Sequence, residues 1–84
     1  MTYHINILRR AQKQLAKIDR KNHSRIIKAI EALSKTPRPA GCKKLSGRPA
    51  WRIRIGSFRV IYEIQDDQLL ILVVEIGDRR DVYK

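Results

Sequence analysis

The chain has 84 residues, with 19 Lys or Arg against 8 Asp or Glu, which gives a formal net charge of +11 at pH 7. This length predicts one domain over residues 1–84, and an apolar fraction of 43% argues against a disordered basic tail. The sequence has neither a signal-peptide core nor an apolar run near 20 residues, so membrane insertion has no support. An anionic membrane surface and an acidic protein compete with nucleic acid as partners of so basic a chain, and of these we expect no membrane partner. The single cysteine, Cys42, fits a reducing cytoplasm, and the charge favours a polyanionic partner, nucleic acid above all.

The first half of the chain predicts a strand followed by two helices. Residues 2–8 alternate apolar and polar side chains, as a half-buried strand does. Apolar residues then recur at helical spacing, which predicts a helix from about 8 to 19. The polar residues 19–22 suit a turn with Asn22 as the N-cap of a second amphipathic helix, which ends before Pro37.

A β-hairpin is predicted at the centre of the second half. Residues 51–55 alternate bulky apolar and basic side chains, and residues 58–64 are rich in aromatic and β-branched ones. Gly56-Ser57 between them has the composition of a two-residue type II′ turn, which sets Ile55 opposite Phe58 and, further along, Arg54 opposite Arg59. The face under the helices is then apolar and consists of Trp51, Ile53, Ile55, Phe58, Val60 and Tyr62. The opposite face carries Arg52, Arg54 and Arg59.

The segments around this hairpin complete the predicted fold. Residues 35–49 hold all three prolines and predict a basic loop. Residues 65–68 predict a turn, and the apolar run of residues 69–76 predicts a buried, central strand. Together these elements predict an α+β fold, in which an N-terminal helical hairpin packs on one face of a small antiparallel sheet.

The pairing of the last strand places the C-terminal residues. If Ile64 pairs with Leu69, then Arg59 lies opposite Val74, and the segment 77–83 leaves the sheet beside the Gly56-Ser57 turn. The side chains gathered at this end of the sheet would then be Arg54, Arg59, Arg79, Arg80 and Tyr83.

The basic face of the hairpin predicts a site for a polyanion. Like charges directly opposite each other cost stability, within a cross-strand scale of roughly 0.2–1 kcal/mol. Arginine is a poor general base because it stays protonated, but it holds phosphate and stabilises the extra charge of a pentacovalent transition state. Tyr83 offers a ring that can stack on a base. Since RNA supplies its own nucleophile, the 2′-OH, such a site could cleave RNA without histidine, metal or another cofactor.

The chain resembles the RelE/ParE toxin superfamily, in particular its RelE-like branch. The resemblance lies in the order of strand, two helices and basic loop, and in the segments KKLSGRPAWRIRIGSFRVIYEI and VVEIGDRRDVY that follow. The resemblance spans essentially the whole chain. It implies the toxin of a type II toxin–antitoxin system, a metal-independent endoribonuclease (mRNA interferase) that cuts messenger RNA in the ribosomal A site. It also implies a cognate antitoxin that holds the toxin inactive. We expect an acidic or amphipathic helical segment of that antitoxin either to cover the arginine-bearing side of the hairpin or to displace the C-terminal tail.

The resemblance assigns site residues as well. Arg52 and Arg54 match two basic residues that alternate on the strand before the turn, and Arg59 matches the arginine after it. Arg79 matches an arginine proposed in the family to protonate the leaving 5′-oxygen, and Tyr83 matches a tyrosine that stacks on the scissile nucleotide. The best-known RelE-type enzyme has lysines where this chain has Arg52 and Arg54, and because arginine holds its proton we expect charge stabilisation from both. The expected RNA-binding residues around them are Lys43, Lys44, Arg48 and Arg80.

Two other functions fit the same sequence. ParE-like members of the superfamily inhibit DNA gyrase and need no RNA-cleaving constellation. A non-catalytic RNA-binding module would need only the basic charge and Tyr83. The combination of Arg59, Arg79 and Tyr83 favours the nuclease, whereas a shared fold alone would not.

Overall fold

The computed structural model describes residues 2–78, which form two helices packed on one face of a five-stranded sheet. The elements in chain order are β1 (His4–Ile7), α1 (Arg9–Ala16), α2 (Arg20–Ala32), β2 (Lys43–Lys44), β3 (Trp51–Ile55), β4 (Phe58–Gln65), a 3-10 turn (Asp66–Gln68) and β5 (Leu70–Asp78). The strand order across the sheet is β1-β5-β4-β3-β2. This arrangement confirms the predicted α+β class and the helical hairpin on one face of the sheet. Neither helix within residues 2–78 is long and apolar enough to span a membrane.

The sheet is mixed, whereas the sequence predicted a purely antiparallel one. β1 runs parallel to β5, with His4 opposite Leu70 and Ile7 opposite Val73, and the other three pairings are antiparallel. Parallel neighbours need a long connection, and both helices and the β3–β4 hairpin lie between these two strands in the chain. β5 is an interior strand as predicted, although the middle position belongs to β4.

The start of α2 differs from the prediction. The helix begins at Arg20, and Asp19 rather than Asn22 is its N-cap. One carboxylate oxygen of Asp19 accepts a hydrogen bond from the backbone N–H of Asn22 at 3.2 Å, and the other accepts one from the Asn22 side-chain amide at 2.8 Å. These bonds hold the pKa of Asp19 below its usual range, the side-chain bond first. A charged cap suits this position because the helix dipole is positive at its N-terminus.

The core lies between the helices and the sheet. Its helical side includes Ala11 and Leu15 of α1 and Ile26 and Ile30 of α2. Its sheet side consists of Ile53, Val60, Tyr62, Ile71, Val73 and Ile76, against which Trp51, Ile55 and Phe58 pack in partly buried positions. The apolar face predicted for the hairpin is therefore confirmed.

One buried polar group in the core is the hydroxyl of Tyr62. The residue is 0% exposed, and its hydroxyl donates a hydrogen bond to the carbonyl oxygen of Pro37 at 2.7 Å. Burial raises the pKa of this tyrosine, so the hydroxyl remains a donor at neutral pH. The bond fixes the chain that leaves α2 against the middle strand of the sheet.

An ionic cluster closes the end of the sheet opposite the Gly56-Ser57 turn. The guanidinium of Arg38 lies 2.9 Å from a carboxylate oxygen of Asp66 and 5.1 Å from the ring centroid of Trp51. The hydroxyl of Tyr3 donates to the same carboxylate at 2.6 Å. The hydrogen bond from Arg38, supported by the one from Tyr3, holds the pKa of Asp66 below its usual range. The cluster joins the start of the chain, the loop after α2 and the β4–β5 turn.

Candidate nucleic-acid interface

The β3–β4 hairpin has the predicted pairing. Ile55 lies opposite Phe58, Arg54 opposite Arg59, and Ile53 opposite Val60. Gly56 has a φ of +60° and is the one residue of the turn with a positive φ, as the first central position of a type II′ turn requires. Because a one-residue slip would exchange the faces, this pairing directs the hairpin arginines away from the helices. The placement predicted for Arg52, Arg54 and Arg59 is confirmed.

β2 brings a lysine to the same face. Lys43 lies directly opposite Arg52, so both side chains leave the sheet on the side away from the helices. Arg52 and Arg54 are successive residues on that side of β3, and the pairs Lys43–Arg52 and Arg54–Arg59 therefore occupy neighbouring rows. We call the surface formed by Lys43, Arg52, Arg54 and Arg59 the basic face.

The four side chains of the basic face differ in exposure. Lys43 and Arg54 are exposed and Arg52 is partly buried, whereas the side chain of Arg59 is only 18% exposed. Glu75 of β5 approaches Arg59 with a carboxylate oxygen 3.6 Å from Nη2. The basic face thus combines cations that solvent reaches freely with one arginine held inside an ion pair.

The pairing of β5 was predicted wrongly. The 3-10 turn and the left-handed Leu69, with a φ of +51°, set Gln65 opposite Leu70, and Ile64 pairs with Ile71. An irregularity between Ile61 and Tyr62 then shifts the register further, because Tyr62 pairs with Val73 and Ile61 with Glu75. These steps together leave Gly77, not Val74, opposite Arg59.

The consequence is a site residue that the sequence analysis missed. The predicted pairing put Val74 on the basic side of β5, and therefore Glu75 on the core side. In the structure Glu75 lies on the basic side, paired with Ile61 and next to Arg59. The sequence carries no signal that could have revealed it, because residues 69–74 are all apolar and the run does not show which of them face the core. In the structure the buried residues Ile71, Val73 and Ile76 break the period of two once.

A groove of about 630 Å³ opens beside Arg59, between α1 and the last residues of β5. Arg10 and Gln14 of α1 and Lys17, its C-cap, line one side of it. The side-chain oxygen of Gln14 accepts a hydrogen bond at 2.7 Å from the backbone N–H of Ile76, which lies beyond the part of β5 that β1 covers. The volume is within the range of about 300–1,000 Å³ typical of small-molecule pockets.

The remaining predicted residues are not all brought to the basic face. Lys44 lies opposite Trp51 and therefore leaves β2 on the other side from Lys43. Arg48 is exposed in the turn between β2 and β3. The predicted residues Arg79, Arg80 and Tyr83 lie outside the described residues. Residue 78, the last one described, pairs with Phe58 next to the Gly56-Ser57 turn, so the chain reaches the predicted end of the sheet. Within residues 2–78, no three His, Cys, Asp or Glu side chains are grouped to hold a metal ion.

The comparisons with known proteins agree with this architecture. The model of a family described as the ParE toxin of type II toxin–antitoxin systems, parDE, matches residues 5–83. A Methanocaldococcus jannaschii protein with the provisional name toxin RelE1 is 32% identical, over 100% of this chain and 98% of its own length. The RelE–RelB complex of Pyrococcus horikoshii has a TM-score of 0.84 at 26% identity, covering 94% of this chain and 97% of its counterpart. The intact RelBE complex of Escherichia coli has a TM-score of 0.79 at 25% identity, covering 90% and 95%. The chain belongs to the ParE toxin family, and with it to the RelE/ParE superfamily of type II toxins.

Proposed function

We propose that this toxin is a ribosome-dependent endoribonuclease that cleaves messenger RNA in the A site. The observation that carries the proposal is the basic face, where Lys43 lies opposite Arg52 and Arg54 lies opposite Arg59. Selection for stability alone would place opposite charges across such rows. Cations gathered on one sheet face raise the positive potential where the phosphates of an RNA strand bind.

The proposed reaction is attack of the RNA 2′-OH on the adjacent phosphate, with the hydroxyl proton passing to solvent water. The bond from phosphorus to the 5′-oxygen breaks, which leaves a 2′,3′-cyclic phosphate and a 5′-hydroxyl end. Arg52 and Arg54 bind the phosphate with permanent charges, and Arg59 neutralises the charge that develops on the pentacovalent transition state. By resemblance, Arg79 protonates the leaving 5′-oxygen and Tyr83 stacks on the scissile nucleotide. The step requires no metal ion, because alignment of the 2′-OH and neutralisation of the phosphate supply the catalysis.

The proposal includes a cognate antitoxin. The solved relatives from Pyrococcus horikoshii and Escherichia coli are complexes of RelE with RelB. An antitoxin with an acidic or amphipathic helical segment would cover the basic face and prevent RNA from binding there. The antitoxin and the messenger RNA would both meet the toxin in the cytoplasm. With a net charge of +11, association should be fast and should weaken as salt rises. A neutralising partner that bound equally well at low and high salt would contradict this part of the proposal.

The family model supports a second candidate function. Its description names ParE, and ParE-like toxins act on DNA gyrase. For a gyrase inhibitor the basic face would contact a protein or DNA surface, and the alignment of Arg59 would not affect activity.

One pair of assays separates these functions. Purified toxin is added to an in vitro translation reaction, the 5′ ends of the message are mapped, and gyrase supercoiling is measured in parallel. The nuclease produces breaks at codon positions on ribosomes, and Arg79→Ala or Tyr83→Ala lowers their rate by orders of magnitude while ribosome binding remains. Blocked supercoiling with intact message would identify a gyrase inhibitor. RNA binding without a product in either assay would identify a binding module.

A further inference from the structure

Glu75 lies between two arginines beside the basic face. One of its carboxylate oxygens is 3.6 Å from Nη2 of Arg59, and the other is 3.6 Å from Nη2 of Arg10 in α1. The side chains of Glu75 and Arg59 are only 25% and 18% exposed, whereas that of Arg10 is 71% exposed. Solvent and salt screen the partly buried pair less than the exposed one. The contact with Arg59 is therefore the stronger restraint on this carboxylate.

Gly77 gives the guanidinium of Arg59 the room to lie across β5. The two residues are cross-strand partners, and a Cβ on Gly77 would be 3.2 Å from Nη2 and 3.3 Å from Cζ of Arg59. On the other side Arg59 faces the like charge of Arg54. Repulsion from Arg54 and attraction to Glu75 thus both direct the guanidinium toward β5, where Gly77 leaves room for it. Together they set the orientation of the guanidinium beside the groove.

From this geometry we propose that Glu75 is a positioning residue for Arg59, and that it aligns the guanidinium before RNA arrives. The inference rests on the proposed nuclease function and deepens it. A long side chain loses conformational freedom when it binds, and an ion pair formed in advance removes that loss from the reaction. A fixed guanidinium also stabilises a transition state better than a mobile one, because it need not reorganise as charge develops.

The same carboxylate opposes RNA binding, because its negative charge lies close to where a phosphate binds. Glu75 therefore acts in opposite directions on the two stages, weakening the binding of RNA and raising the rate of the bound complex. A salt bridge that served only the fold would not produce this separation. Its loss would lower the free energy of unfolding and, like the loss of any nearby negative charge, tighten RNA binding, but it would leave the saturating rate of the folded protein unchanged.

The test compares Glu75→Gln with Glu63→Gln in single-turnover cleavage on programmed ribosomes. Glu63 leaves β4 on the same face, four residues and about 13 Å from Arg59, so its replacement removes an equal charge without touching the pair. We expect both variants to bind RNA several-fold more tightly. Only Glu75→Gln should lower the rate at saturation, by about tenfold to a hundredfold, as displaced catalytic groups do. Equal saturating rates for the two variants would overturn the proposal.

Gly77→Ala provides a variant with every charge intact. Its Cβ displaces the guanidinium by a few tenths of an ångström, since the end of a flexible side chain can move. We expect a lower saturating rate without tighter binding; a parental rate would contradict the alignment, provided the variant is folded.

A spectroscopic measurement separates failure of this inference from failure of the proposed function. If the parent leaves the message intact, the nuclease proposal fails, and nitrogen-15 NMR of arginine Nε–Hε groups still tests the pairing. The Arg59 signal should exchange slowly with solvent in the parent and in Glu63→Gln, and rapidly in Glu75→Gln. Identical exchange in all three proteins would show that Glu75 does not position Arg59.

Discussion

Arg54 and Arg59 lie directly opposite each other across the β3–β4 hairpin, on the side of the sheet away from the helices. Facing cations on an antiparallel pair of strands repel each other. The core contacts of the hairpin are made by the residues on its other side, which face the helices. The repulsion therefore costs stability and adds nothing to the packing of the core. A stability cost at a site that binds anions is the usual sign of a functional constraint.

We therefore predict that Arg54→Gln raises the stability of the protein and lowers its activity. Removal of the repulsion should raise the free energy of unfolding by about 0.2–1 kcal/mol, measured by urea denaturation. Under the proposed nuclease function the rate of RNA cleavage should fall, because one cation of the proposed phosphate site is lost. Lys28→Gln, which removes an exposed charge from α2, is the matched control and should alter neither quantity much. A destabilised Arg54→Gln variant would show that the arginine stem supports the fold instead.

A second prediction concerns the hydroxyl of Tyr62. Tyr62→Phe removes the hydroxyl that donates a 2.7 Å hydrogen bond to the Pro37 carbonyl oxygen. The substitution should lower the free energy of unfolding by about 1 kcal/mol. Tyr3→Phe, which removes an exposed hydrogen bond to Asp66, should cost less. Both variants should cleave RNA at the parental rate, because Tyr62 points to the core and not to the basic face. A large loss of cleavage in folded Tyr62→Phe would contradict this separation of core and site.

The hairpin could be predicted from sequence because its determinants are local. Gly56-Ser57 sets a two-residue turn, and the alternation on both sides of it leaves one register with an apolar face. The N-cap of α2 was harder, because Asp19 and Asn22 both have capping side chains. The structure shows that Asp19 caps the helix while Asn22 supplies one of the N–H groups that it satisfies.

The parts that sequence reasoning missed depend on pairing between distant strands. β2 has only Lys43 and Lys44, so it shows no apolar alternation, and Lys43 reaches the basic face only through its partner Arg52. The pairing of β5 depends on a left-handed Leu69 and on one extra residue in the strand, neither of which a propensity encodes. The pairing predicted for β5 would therefore have turned Glu75 toward the core.

A third prediction concerns acid. The pKa of Asp66 is held below its usual value near 3.8, chiefly by Arg38, so its ionised form favours the folded state. That contribution is complete above about pH 4 and is lost as pH falls through the lower folded-state value. The difference in Tm between the parent and Asp66→Asn should therefore be constant from about pH 7 to about pH 5, and should shrink toward pH 3.

Asp67→Asn is the control for this prediction. Asp67 belongs to the same 3-10 turn, is exposed, and forms no ion pair within the described part of the chain. Its replacement should leave the acid dependence of Tm parental. If the two variants respond alike to acid, the cluster of Arg38, Asp66 and Tyr3 does not contribute to stability.

The fourth prediction concerns the arginines of β3. Replacing Arg52 and Arg54 together with lysine keeps both positive charges but removes the bidentate guanidinium fork. If the two residues act by permanent charge, single-turnover cleavage should fall modestly and gain little dependence on pH between about 6 and 9. Arg9→Lys combined with Arg20→Lys makes the same exchange at exposed positions of α1 and α2, and should cleave like the parent.

The opposite result has an equally specific meaning. Lys43 already lies opposite Arg52, so the lysine variant would place a second lysine in that row of the basic face. A lysine among like charges loses its proton far more readily than arginine, which stays protonated in proteins. If one β3 position must accept the proton of the 2′-OH, the lysine variant should cleave RNA faster than the parent, and its cleavage rate should increase with pH. Because alanine at both positions impairs either mechanism, the lysine variant is the one that discriminates, and a rate above the parental one would refute catalysis by permanent charge.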